Sequence, residues 1–253
     1  MKSYLEEDIK MKKIALTIIL AAIIAAGVGC GAETAGESAS AGGQSVEQVE
    51  QKSEAAYELG EITTKVFTNS IGTTWVIGIA PVKNTGTCDL YISGVNMDIE
   101  DADGSLVDTM SLATSTPTVI SPGETAVLYG ESTVDAEGDY KVVPTFKAVK
   151  AKIPNTRYPV SDIKISEDED FGDIEVIGRV ENNGEEEESI EVAVIFYGAD
   201  GSILGAEHTY TDEIAAGSKG SFKISIVVSA NDIALADIDH YDVIAYPGFQ
   251  IQF

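Results

Sequence analysis

Val82-Lys83-Asn84-Thr85-Gly86 returns as Val180-Glu181-Asn182-Asn183-Gly184, an offset of 98 (182 − 84), and this pair of stretches decides the fold. Each closes an apolar run. Trp75-Val76-Ile77-Gly78-Ile79-Ala80-Pro81 leads into the first, and Ile174-Glu175-Val176-Ile177-Gly178-Arg179 into the second. Runs of Val and Ile bounded by Asn and Gly read as strands. Asn-Thr-Gly and Asn-Asn-Gly tolerate positive φ, so each predicts a turn between antiparallel strands.

The repeat continues downstream. Asp101-Ala102-Asp103-Gly104-Ser105 falls on Gly198-Ala199-Asp200-Gly201-Ser202, an offset of 97 (198 − 101). Ser121-Pro122-Gly123-Glu124 falls on Ala215-Ala216-Gly217-Ser218, an offset of 94 (215 − 121). A period this long is domain-sized and excludes a solenoid. Before the second Asp-Gly, Ile190-Glu191-Val192-Ala193-Val194-Ile195-Phe196 has one face apolar throughout and the other mixed. That predicts a half-buried strand of an antiparallel sheet. No long helical periodicity follows residue 60, and turn clusters recur about every ten residues, as in sandwiches and barrels.

The chain is thus expected to be all-β, with two tandem immunoglobulin-like β-sandwich domains at 61–152 and 157–253. The V-x-N-x-G strand end, the aromatic-Asp-x-x-Gly turn and the "pGe" turn together resemble the FxLYD domain. Met97-Asp98-Ile99-Glu100-Asp101 keeps that motif's aliphatic centre and final Asp, and Val194-Ile195-Phe196-Tyr197-Gly198 keeps its Tyr. The resemblance implies a β-sandwich module of exported bacterial lipoproteins with no assigned enzymatic role. Between the units, Lys152-Ile153-Pro154-Asn155-Thr156-Arg157-Tyr158-Pro159 holds two prolines, which stiffen a connection and predict a restricted hinge.

Upstream, Met11-Lys12-Lys13 precedes fifteen uncharged residues, Ile14 to Val28, and then Gly29-Cys30-Gly31. A positive start, an apolar centre and small residues at the cut describe a secretory signal. Fifteen residues are too few to span a bilayer core roughly 30 Å thick. The terminal cysteine makes residues 1–29 resemble a bacterial lipoprotein leader, with Gly27 where the family usually has an aliphatic residue. The resemblance implies diacylglycerol on the Cys30 thiol, cleavage before it, and anchoring at the outer face of the cytoplasmic membrane. Translation starts at Met1 or at Met11; both leave a workable positive region. Residues 30–60 then form a tether of Gly, Ala, Ser and Glu, too poor in apolar side chains to offset the entropy of ordering. A marginal helix is expected from Ser45 to Leu59, where good helix formers concentrate.

The chain has 253 residues, 42 acidic against 16 basic, for a net charge of −26. Without residues 1–29 the counts are 39 and 12, a charge of −27. Such acidity argues against nucleic acid and against adsorption onto anionic lipid by charge. Only two Cys and two His occur, so no Cys/His zinc site of four ligands fits comfortably.

No catalytic set is visible. Asp101-Ala102-Asp103-Gly104-Ser105 lacks EF-hand spacing and reads as a β-turn. The acid runs Glu167-Asp168-Glu169-Asp170 and Glu185–Glu188 either collect Ca²⁺ weakly or are solvated loops, the commoner use. His208 and His240 stand beside carboxylates without a Ser or Cys nucleophile motif, and no glycine-rich phosphate loop occurs. Cys88 is read as a small apolar residue. Trp75, a candidate carbohydrate platform, is read as core packing at the start of its strand. The expectation is a non-enzymatic binding or scaffolding lipoprotein without cofactor or metal. Its partners would be the membrane, through Cys30, and a cell-envelope protein; the alternative is capture of a small cationic ligand by the acidic surface.

Overall fold

The computed structural model describes residues 54–110, 112–168, 172–227 and 231–248. The leader, Cys30, the tether as far as residue 53, and Glu169 and Asp170 of the first acid run lie outside the described residues.

The fold is all-β. Its first set of strands is β1 (Tyr57–Leu59), β2 (Thr63–Thr68), β3 (Thr74–Asn84), β4 (Leu90–Glu100), β5 (Leu106–Met110), β6 (Thr114–Thr116), β7 (Val119–Ile120), β8 (Thr125–Val134) and β9 (Lys141–Lys150). The second is β10 (Val160–Glu167), β11 (Ile174–Glu181), β12 (Ile190–Tyr197), β13 (Ile203–Tyr210), β14 (Lys219–Ile226) and β15 (His240–Pro247). Every ladder among the described residues is antiparallel and joins strands of one set. β3 pairs with β1, β2 and β8, and β8 also with β6; β4 pairs with β5, β7 and β9. In the second set β11 lies between β10 and β14, and β12 between β13 and β15.

The two sets pair in the same register. Ala80 faces Leu128, and Gly178 faces Phe222, offsets of 98 (178 − 80) and 94 (222 − 128). Ile99 faces Val142 and Asp108; Phe196 faces Tyr241 and Gly205, offsets of 97, 99 and 97. Even the irregularity recurs, with a register shift after Ile99 and another after Phe196. A slip of one residue would turn every side chain to the wrong face, so a shared register means a shared inward set. The arrangement is compatible with two tandem sandwiches.

In each set two sheets enclose a core. Val76, Ala80, Val82 and Leu128 of the β3 sheet meet Leu90, Ile92, Met97, Ile99 and Val142 of the β4 sheet. Val176, Val180, Phe222 and Ile224 of the β11 sheet meet Ile190, Val192, Val194 and Phe196 of the β12 sheet. Each of these Val, Leu, Ile, Met and Phe side chains contributes about 1.5–3 kcal/mol by leaving water.

The halves also share a third core. Ile77, Ile79, Val127 and Tyr129 project from the other side of the β3 sheet against Ile195 and Ala206 of the β12 sheet. The sheets therefore stack as four layers: β4, β3, β12, β11. This corrects the half-buried reading of β12, since Ile190 through Phe196 are all buried. The face judged mixed carries Ala193 and Ile195, which have the first half to pack on.

The Asn-x-Gly stretches correct a second expectation. β3 does not pair with β4, nor β11 with β12, so these segments cross between sheets and are not hairpin turns. Neither Asn84 nor Asn182 has a positive φ. Each is instead buried, at 1% and 0% exposure, and works through its amide. Asn84 Nδ2 donates to Cys88 O and Ile120 O, both at 2.9 Å, while its Oδ1 accepts from Gly86 N at 2.9 Å. Asn182 Nδ2 donates to Glu186 O and Ile214 O, both at 2.7 Å, and its Oδ1 accepts from Gly184 N at 2.9 Å. The backbone is fastened equally: Asn84 N donates to Glu124 O, and Asn182 N to Ser218 O. The partnering turns do need positive φ, with Gly123 at 88° and Gly217 at 70°, a region open to glycine at no steric cost.

Two local readings change as well. The end of the marginal helix is strand β1, because Tyr57–Leu59 pair with Val82–Asn84 and a ladder outweighs weak helical propensity. The proline linker is bonded down. Asn155 Nδ2 donates to Ser121 Oγ at 2.8 Å and Arg157 Nη2 to Val119 O at 2.8 Å, while Tyr158 N donates to Ala245 O at 2.9 Å.

Candidate functional site

Strand parity decides what reaches the seam between the halves. Trp75, Tyr129, Glu131 and Thr133 point away from the first core, as do Thr114 and Thr116 of β6. Ala206 and His208 of β13 share the seam-facing side of the β12 sheet, and Glu207 stands between them in sequence. At one end of the seam these residues, with Leu112, Gly130 and Ser132, line a cleft of about 420 Å³. No Lys or Arg is among the lining residues.

The floor is polar and tightly bonded. Tyr129 Oη donates to Asn231 Oδ1 at 2.5 Å, a bond between the halves, and Glu131 Oε2 lies 3.4 Å from the same hydroxyl. Burial raises the Glu131 carboxyl above its ordinary value, the charge of Glu207 raises it further, and the Tyr129 hydroxyl partly opposes both. Burial likewise drives the Tyr129 hydroxyl well up, helped by the charges of Glu131 and Glu207. Trp75 carries an enclosed polar side-chain atom with no partner: its Nε1 meets no hydrogen-bond acceptor among the described residues. Elsewhere on the seam, Lys65 Nζ donates to Leu204 O at 2.8 Å.

A second acidic group sits deeper. Glu191, 6% exposed, accepts from Tyr246 Oη at 2.7 Å and from the Tyr210 hydroxyl. Arg157 lies over the Tyr246 ring, 5.9 Å from its centroid. Burial raises the Glu191 carboxyl; the hydroxyls and His208 only partly offset it. A carboxyl whose pKa is higher folded than unfolded binds a proton better in the fold. The stability it contributes is present below the unfolded value of about 4.3 and is lost as pH rises through the folded value. The melting temperature of the chain is therefore expected to rise as pH is lowered through the raised folded value toward the unfolded one. Glu191→Gln should flatten that rise; a profile identical to the parent's would show that Glu191 does not titrate in this window.

The sequence candidates are dispersed. His208 lies in the cleft wall, edge-on to Tyr210 at 5.7 Å between centroids, with Nδ1 3.8 Å from Glu207 Oε1. His240 is elsewhere, stacked on Tyr197 at 4.6 Å. Burial and the charge of Asp242 push the Tyr197 hydroxyl up to about 12. Asp101 is a turn residue: its Oδ1 accepts from Asp103 N and Ser105 N. In the Glu185–Glu188 loop, Glu188 accepts from the Tyr158 hydroxyl. Cys88 is a free thiol of intermediate burial. Trp75 is partly exposed at the cleft and not in either sandwich core. Among the described residues no three His, Cys, Asp or Glu side chains are grouped to hold a metal ion.

Sequence reading missed Tyr129, Glu131, Glu207 and Glu191 as a group. The available signal was the doubly apolar texture of Ile77-Gly78-Ile79-Ala80 and Val192-Ala193-Val194-Ile195. A strand apolar on both faces needs a second cover, and Glu131 and Glu191, of the same parity as Val127 and Ile195, then edge that cover. The chain matches no protein-family model and no curated protein.

Proposed function

We propose that the chain is an exported lipoprotein held at the outer face of the bacterial cytoplasmic membrane through Cys30. Its paired FxLYD-like, immunoglobulin-like sandwiches would act as a non-enzymatic binding or scaffolding module of the cell envelope. The observation that carries this reading is the order of segments from Lys12 to the first strand: positive start, apolar run, Gly29-Cys30, acidic spacer, β-body. The duplicated register supports a modular body, and the acidic surface suits a partner that is not nucleic acid. One cysteine carrying two acyl chains is enough for stable anchoring, since each buried CH₂ contributes about 0.8 kcal/mol.

Cys30→Ala tests the anchor. The parent chain is expected in the membrane fraction, released only by detergent, and the variant in the soluble extracytoplasmic fraction. Equal membrane retention of the two would remove the lipid assignment.

The runner-up reading, capture of a cationic solute, is favoured by one observation: the seam cleft is lined by Glu131 and Glu207 and by no Lys or Arg.

A further inference from the structure

We propose that the seam cleft bounded by Trp75, Tyr129, Glu131, Glu207 and His208 is a binding site for a small organic ammonium compound bearing a hydroxyl oxygen, an amino alcohol in chemical class. This deepens the binding-module reading and rests on it for the idea that the chain binds a ligand at all.

Four observations converge on that class. The cleft, about 420 Å³, falls in the range of small-molecule sites. Two carboxylates stand in the wall without a Lys or Arg, and burial of one beside the other makes their joint negative charge costly. An ammonium head placed there relieves that cost. Trp75 and Tyr129 bring an indole and a phenol ring to the same wall, and aromatic rings beside carboxylates are how proteins hold alkylammonium ions. The enclosed indole N–H of Trp75 is the fourth. Buried donors are nearly always met, and a ligand oxygen reached by a small turn of the ring would meet this one. A bare metal ion fits less well. The described carboxylates and imidazole do not form a three-donor cage, and a metal would leave the rings unused.

The cleft is built by both halves. Trp75, Tyr129 and Glu131 come from β3 and β8, and Glu207 and His208 from β13. The seam is thereby given a role that neither sandwich has alone.

The chain contains a single tryptophan, so intrinsic fluorescence reports on Trp75 directly. The full-length protein in dodecyl maltoside is titrated with choline and, separately, ethanolamine at constant ionic strength. A saturable change in tryptophan emission is expected with at least one of them. The neutral isostere of choline, 3,3-dimethylbutan-1-ol, should bind at least about tenfold more weakly, because it lacks the charge that the carboxylates and rings recognise. Glu131→Gln and Glu207→Gln should each weaken binding by about tenfold. Glu207→Gln, in a partly exposed residue, keeps the test meaningful if the first variant folds poorly. No saturable response to either amine, an equal response to the neutral isostere, or full affinity in a folded Glu207→Gln protein would each overturn the proposal. The titration does not depend on where Cys30→Ala partitions, so failure of the cleft and failure of the anchor are separate results.

Discussion

Asn182→Ala is expected to lower the stability of the folded body by about 2–4 kcal/mol. The side chain is fully buried and makes three hydrogen bonds, to Glu186 O, Ile214 O and Gly184 N. Truncation loses all three; the exposed Gly184 and Glu186 can turn to water, while the buried Ile214 O keeps only its bond from Glu188 N. Each lost bond is worth about 0.5–1.5 kcal/mol net, so the three together exceed the effect of an ordinary surface change several times over. Asn84→Ala should cost a comparable amount, because its three bonds have the same geometry at the matching place in the first half. Asp at either position should do no better: it keeps one acceptor, loses both donors and brings a charge inside. Urea denaturation of both alanine variants checks this, and a loss below about 1 kcal/mol in both would mean the amides are incidental.

Ile195→Asp should be at least as damaging, by about 4 kcal/mol or more, and in a different way. Ile195 is 2% exposed and belongs to the seam cluster with Ile77, Ile79, Val127, Tyr129 and Ala206. A carboxylate there would be taken out of water into an apolar contact, and burying a charge is among the few changes that cost this much. The sandwich cores of the two halves contain none of the seam residues, so the cheapest response is for the seam to part. A larger radius by small-angle scattering, together with new proteolysis at 151–159, is the expected signature. Ile195→Val, which removes one methylene, should cost only about 0.5–1.5 kcal/mol and leave the radius unchanged. An unchanged radius in a folded Ile195→Asp protein would mean the seam is not held by apolar packing.

The strands and the duplication were legible because they are written in local chemistry. Val, Ile and Thr runs, Gly104 and Gly201 at positive φ, and Gly123 and Gly217 closing the second turn all act within a few residues of themselves. The role of Asn84 and Asn182 was not legible. Asn before Gly has a common local use in turns, and only the distant partners Ile120 and Ile214 reveal that the amide is clamping two sheets. The seam was hidden for a related reason. A half-buried and a doubly buried strand differ only in whether the second face is polar, and Glu191 made the face of β12 look mixed. That glutamate is buried, held by the Tyr246 hydroxyl from a strand over fifty residues away, which no local pattern discloses. The cleft follows from the seam and inherits its invisibility.

The four-layer stack has a consequence for how the chain is made. Synthesis completes β1–β9 before β12 and β13 exist. In that interval Ile77, Ile79, Val127 and Tyr129 confront water as one sticky plane on a strand-built surface, which is the kind of exposure that drives nascent chains together. The later half thus serves as an escort encoded in the same polypeptide, and its arrival ends the vulnerable stage of the earlier one.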